Sequence, residues 1–131
     1  MPDRGEPFGG AVAGTKLGPE RFSVSEAAND RYWAGAGIDH PLRRAGALYP
    51  PMAANLSILT LQTVAPRPLL QTAQVLTCHT SAPAPCDLVV EGTVTRRFTK
   101  RDRAYIEVSL DITTDDGSAL WTSVATFCEP S

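Results

Sequence analysis

The stretch that decides the fold is Ala104–Phe127, AYIEVSLDITTDDGSALWTSVATF. Ile106, Val108, Leu110 and Ile112 alternate with Glu107, Ser109, Asp111 and Thr113, the period-two signature of a strand with one dry face and one wet face. Asp116-Gly117 follows, a pair suited to the positive φ of a hairpin turn. Ala119–Phe127 then pairs back antiparallel.

Moving toward the N-terminus, DLVVEGTVTRRFTK (Asp87–Lys100) reads as the preceding strand. LLQTAQVLTCHT (Leu69–Thr80) reads as another, stopped by SAPAP (Ser81–Pro85). RFSV (Arg21–Val24) supplies a short strand earlier in the chain. Two helices lie between. Ser25 can cap EAANDRYWAGAG, with Glu26 in the first turn and Gly35 and Gly37 at the end. YPPMAANLSILTLQT (Tyr49–Thr63) starts on two prolines, which the first turn tolerates. Met52, Leu56, Leu59 and Thr63 share one of its faces, and Ala54, Ile58 and Leu61 widen the apolar surface, so this helix is expected to be buried.

Helices first and antiparallel strands afterwards predict an α+β domain, a single sheet wrapped around the apolar helix. Its other face or edge is expected to meet a second copy. Residues 1–18, rich in Gly and Pro, read as a flexible N-terminal arm or a strap laid on the surface, and residues 19–131 as the domain.

At 131 residues, 43% hydrophobic and 20% charged, the chain has the balance of one domain with one core. A formal net charge of -2 gives no general attraction for nucleic acid or an anionic membrane. The one basic cluster, Arg96, Arg97, Lys100, Arg101 and Arg103, is therefore read locally. Cys78, Cys86 and Cys128 form no CxxC pair and suggest neither a disulfide framework nor a zinc site. Without a signal-peptide core or an apolar run of membrane length, a cytoplasmic protein is expected.

The densest chemistry lies in AGAGIDHPLRR (Ala34–Arg44), and here the residues suggest a family. VSEAANDRYWAGAGIDHPL (Val24–Leu42) resembles the first helix and Gly-Asp-x-Asn-Pro-Leu-His loop of the MaoC-like dehydratases and (R)-specific enoyl-thioester hydratases, which have the hotdog fold. LYPPMAANLSI (Leu48–Ile58) is similar to the Pro-Pro start of that family's central helix. The run from Val89 to Phe127 is similar to its later strands.

The resemblance implies acid-base work beside a thioester carbonyl by an Asp and a His of that loop. It also implies that backbone N–H groups at the start of the central helix receive the carbonyl oxygen, with no cofactor and no metal. Anchored on Gly37 and Pro41, however, the register puts Ile38 at the acid position, His40 at the Asn position and Arg43 at the His position. A shift by one brings in Asp39 and Arg44 but displaces the proline. Arginine can hold an anion or an enolate-like oxygen, but it does not shuttle a proton. Asp39 and His40 are therefore the candidate catalytic residues, with His40 carrying the proton and Asp39 as its partner. The alternative is a solvated loop in which Asp39 or Asp30 pairs with an arginine.

Candidate substrate-binding residues are Tyr49, Met52, Asn55, Arg43 and His79. Tyr49, with Tyr32 and Trp33, can line a pocket; Asn55 can orient a carbonyl; His79 lies near a cavity mouth. The basic cluster can meet a phosphopantetheine or nucleotide phosphate, or the acidic face of a carrier protein.

Three function classes follow. The chain is a non-standard enzyme on an acyl-CoA, carrier-bound or released polyketide-like substrate, catalysing dehydration, hydration, isomerisation or cyclisation. Or it is a silent subunit that pairs with an active hotdog partner. Or it is a binder of an acyl chain or apolar small molecule. A homodimer is expected, or a heterodimer under the second reading.

Overall fold

Five strands, β1 (Lys16–Val24), β2 (Leu70–Cys78), β3 (Cys86–Lys100), β4 (Arg103–Thr114) and β5 (Ala119–Cys128), form one antiparallel sheet. Their order is β1-β3-β4-β5-β2. Three helices, α1 (Glu26–Ala36), α2 (Pro41–Arg44) and α3 (Ala53–Leu61), precede β2. The structure is a computed structural model that describes residues 6–37 and 39–130.

The alternation read in β4 fixes the inside of the sheet. Ile106, Val108, Leu110 and Ile112 are fully buried, facing Phe127, Ala125, Ser123 and Trp121 across the β4–β5 ladder. Leu88, Val90 and Val94 extend this dry face into β3. α3 lies across it and touches all five strands, so the sheet and one helix bury each other's apolar surface. This is the α+β arrangement expected.

Three details differ from the sequence reading. The helix expected over 49–63 is split into a 3-10 turn, Pro50–Met52, followed by α3. Its buried residues are Ala53, Leu56, Ser57, Thr60 and Leu61, while Leu59 is 42% exposed. Ser57 and Thr60 can go inside because their hydroxyls donate to the carbonyls of Ala53 at 2.7 Å and Leu56 at 2.8 Å, leaving no orphaned donor. β1 is longer than RFSV. It begins at Lys16 and passes an irregularity between Leu17 and Glu20, where Gly18 has φ +71 and a Cβ would meet the Val90 carbonyl at 2.3 Å. An edge strand absorbs such a break.

Finally, the described part of the N-terminal arm makes firm contacts. Phe8 is fully buried in the core cluster, its N–H donates to Glu129 at 2.6 Å, and residues 16–18 already belong to β1. Arg97 covers the Phe8 ring at 4.9 Å and donates to the Ala11 carbonyl at 2.6 Å.

The three cysteines are free thiols: Cys78 exposed, Cys86 half-buried and Cys128 buried. No helix among the described residues is long and apolar enough to cross a membrane.

Candidate functional site

α1 carries the residues that position the region. Ser25 caps it by accepting from Ala28 N–H at 3.0 Å, and Gly37, with φ 67, closes it in the left-handed conformation. Asn29 and Trp33, one turn apart on one face, are both buried. Asn29 Nδ2 and Trp33 Nε1 each donate to the Ala47 carbonyl at 2.9 Å, and Asn29 Oδ1 accepts from Tyr49 N–H at 2.9 Å. The segment leading into α3 is thus clamped to α1 by three hydrogen bonds.

The loop between α1 and α2 bonds mainly to itself. Asp39 and Arg44 form a 2.7 Å ion pair with both side chains well exposed. His40 Nδ1 accepts from Leu42 N–H at 3.0 Å, capping α2, and its ring stacks on Trp33 at 6.0 Å. A neutral His40 therefore carries its proton on Nε2 and can donate there, while its basic nitrogen is occupied. Arg43 lies on the exposed surface of α2. Ile38, which the family register put at the acid position, falls outside the described residues.

Beside this loop lies a chain of rings. Trp33 meets Tyr49 edge-on at 4.9 Å, Tyr49 stacks on Tyr32 at 6.1 Å, and the Tyr32 hydroxyl accepts from Asn55 Nδ2 at 3.1 Å. Tyr32 and Asn55 stand on the wall of an apolar cleft of about 190 Å³ that also includes Phe22, Val24, Met52, Leu56 and Leu59. A neighbouring depression of about 320 Å³ shares Ala28 and Tyr32 with it. Three strips of chain meet in the cleft: the end of β1, the face of α1 and the first turns of α3. Its polar side chains are the Tyr32 phenol, the Asn55 amide and Ser23, whose hydroxyl donates to Asp87 at 2.7 Å, over a floor of aliphatic and aromatic carbon. Such a site can hold an apolar chain and donate hydrogen bonds to one oxygen.

The start of the central helix departs from the family's expected role. Pro50 and Pro51 have no N–H, Met52 N–H bonds the Tyr49 carbonyl at 3.1 Å, and Ala53 N–H is taken up by the 3-10 turn. Residues 50–53 consequently leave no backbone donor for a bound carbonyl.

Met52 and Asn55 line this cleft, Tyr49 adjoins it through its stack on Tyr32, and His79 lies elsewhere. His79 Nε2 lies 2.8 Å from Thr122 Oγ1, which donates to Asp111 at 3.3 Å. Thr122 and Asp111 point away from the core, opposite in phase to buried Trp121 and Ile112. Those residues line an open groove of about 750 Å³ on the outer face of the sheet, with Lys16, Glu91 and Thr93. Tyr32 was legible only as one of several aromatics, and Asn29 carried no signal in the sequence at all. Among the described residues no group of three or more His, Cys, Asp or Glu is placed to hold a metal ion.

No protein-family model and no curated protein matches this sequence. Solved structures do. The chain is similar to the HadBC (3R-hydroxyacyl-ACP dehydratase) complex of Mycobacterium tuberculosis, with TM-score 0.74 and 14% identity over 89% of this chain and 96% of that one. It is similar to the R-hydratase PhaJ1 of Pseudomonas aeruginosa, with TM-score 0.74 and 18% identity over 95% and 86%. It is similar also to the ChsH1-ChsH2 complex of Mycobacterium tuberculosis, with TM-score 0.67 and 15% identity over 91% and 98%. These likenesses establish the hotdog fold, the architecture of MaoC-like dehydratases and (R)-hydratases, as the fold of this chain.

Proposed function

We propose that this chain is a hotdog enzyme acting on an acyl or polyketide-type substrate, in which the cleft between α1 and α3 holds the apolar chain. The phenol of Tyr32 and the amide of Asn55 meet the carbonyl. The observation that carries this reading is the 3.1 Å pairing of Asn55 Nδ2 with the Tyr32 hydroxyl on the wall of that cleft. By accepting from the amide, the phenol keeps its own proton for the ligand, and the amide keeps a second N–H.

Two neutral donors stabilise developing charge on an enolate-like oxygen. An apolar wall that folds a reactive chain supplies the orientation that isomerisation or cyclisation needs. Asp39 and His40 keep a part limited by their bonds. His40 caps α2 and packs on Trp33, and Asp39 holds the loop through Arg44. The substrate is an acyl-CoA, a carrier-bound chain or a released polyketide-like product, and no cofactor enters the step.

The test is turnover of 3-hydroxyacyl, enoyl and poly-β-keto thioesters, followed by product mass. Tyr32→Phe and Asn55→Ala should each lower turnover, while Asp39→Asn should leave it intact. Full activity in folded Tyr32→Phe and Asn55→Ala proteins, with loss in His40→Ala or Asp39→Asn, would return the chemistry to the loop and sink the proposal.

A second reading is a subunit that completes an active hotdog partner. It is supported by the complexes among the structural neighbours and by β2, an edge strand with exposed Val75 and Leu70. This reading predicts that the purified chain is inert and gains activity on mixing with a partner. A homodimer that turns over substrate unaided rules it out.

A further inference from the structure

Five of the chain's twelve lysines and arginines fall within Arg96–Arg103, although the formal net charge of the whole is -2. They lie along the β3–β4 hairpin, whose two-residue turn puts Arg101 and Asp102 at φ 53 and 62. Charges at a hairpin tip often serve only solubility, and the ladder register separates those from the rest. Arg97 pairs with buried Ile106 and turns inward onto Phe8. Arg96, Phe98 and Lys100 alternate onto the outer face, opposite Glu107, Tyr105 and Arg103.

On that face the side chains form a column. The Phe98 and Tyr105 rings stack at 5.1 Å with 9° between their planes, and the Arg96 guanidinium lies 4.4 Å from the Phe98 centroid. Both rings are only half-buried, and the Arg96 side chain is 60% exposed, tied to Glu107 by a long 3.5 Å contact. Lys100 and Arg101 stand exposed at the end of the column. Parallel rings with a guanidinium plane, on an outer sheet face and beside exposed cations, match a planar heterocycle that carries phosphate. Bases stack on aromatic rings and guanidinium planes, and cations take the phosphates.

We propose that the outer face of the β3–β4 hairpin binds a phosphorylated nucleoside. Its base lies on the Arg96–Phe98–Tyr105 column and its phosphates lie at Lys100 and Arg101. This site is separate from the cleft. Phe98 is ten residues along β3 from Leu88, the partner of Phe22, or about 33 Å of strand. It goes beyond the acyl-binding reading and does not depend on it. The chemistry is shared by free nucleotides and by the adenosine end of coenzyme A.

Calorimetric titration of the full chain with adenosine 3′,5′-bisphosphate, coenzyme A, pantetheine and inorganic phosphate tests it. The bisphosphate and coenzyme A should each saturate one site that pantetheine does not compete for, with binding weakening as salt rises. Lys100→Glu/Arg101→Glu should weaken both by tenfold or more. Phe98→Leu, which keeps apolar volume and removes the stack, should weaken both by about tenfold with an unchanged melting curve. A bisphosphate affinity stronger than that of coenzyme A identifies the free nucleotide as the source, and the reverse order identifies the coenzyme; either supports the site. Absence of saturable bisphosphate binding at millimolar concentration overturns it, as does binding that the charge reversals leave unchanged, or phosphate binding as tightly as the nucleotide. Coenzyme A binding without bisphosphate binding also overturns it, while leaving the cleft reading standing.

Discussion

The loop Asp39–Arg44 and the cleft are linked through the rings of His40, Trp33, Tyr49 and Tyr32, and they invert what the sequence advertises. The loop gathers an acid, an imidazole and two guanidinium groups within six residues, and the structure joins them to their neighbours: Asp39 to Arg44, His40 to Leu42 N–H. The cleft draws on Phe22 of β1, Tyr32 of α1, Met52 of the 3-10 turn and Asn55 of α3, and leaves a phenol and an amide at its wall. Charged residues close in sequence tend to satisfy one another in water, at little gain in stability. A binding surface needs groups that the fold brings from afar and keeps partly unsatisfied.

Substitutions in the two regions should have unequal effects. The largest effect is expected from Asn29→Ala, which removes the acceptor for Tyr49 N–H and one of the two donors to the Ala47 carbonyl in a site only 3% exposed. A loss of about 2 kcal/mol in urea unfolding is expected, together with weaker ligand binding, because the clamp sets the entry to α3. Next come Tyr32→Phe and Asn55→Ala. Under the proposed function each removes one neutral hydrogen bond to the carbonyl, so acyl-thioester affinity should fall by about tenfold in a binding titration, with stability little changed.

Asp39→Asn should change stability by less than about 0.5 kcal/mol, since the Asp39–Arg44 pair is solvated on both sides. The smallest effect lies at the β4–β5 turn. The Thr114 hydroxyl and Ser118 N–H bond the Asp116 carboxylate and hold its pKa below the ordinary 3.8. A folded pKa below the unfolded one adds stability above the ordinary value, and that stability is lost as pH falls through the folded pKa. The urea midpoint of Asp116→Asn should therefore lie slightly below that of the parent at neutral pH and converge with it in acid.

The sheet was legible because strand alternation is a local pattern with one physical cause. Ile106, Val108, Leu110 and Ile112 all face inward as read, and the Asp-Gly turn joins β4 to β5. The face of α3 was less so: apolarity alone could not tell that Leu59 borders an open cleft while Ser57 and Thr60 hide their hydroxyls on helix carbonyls. The boundary between arm and domain reads as lying between Gly18 and Pro19, yet β1 runs through both. Of the candidate binding residues, Met52 and Asn55 line the cleft, while Tyr49 stacks on Tyr32 at its side. His79 could not be placed from its strand alone, because facing inward or outward turns on a single residue of register. Asn29 was invisible, since its role exists only once α1 lies against residues 47–49.

Backbone chemical-shift mapping of the ¹⁵N-labelled chain with a non-hydrolysable acyl-pantetheine analogue shows whether the acyl chain enters the cleft. Perturbations should centre on Tyr32, Met52, Asn55 and the end of β1, with the Asp39–Arg44 turn little moved. Perturbations centred on Asp39 and His40, or on His79 and Thr122 across the sheet, with the cleft unmoved, would contradict binding in the cleft.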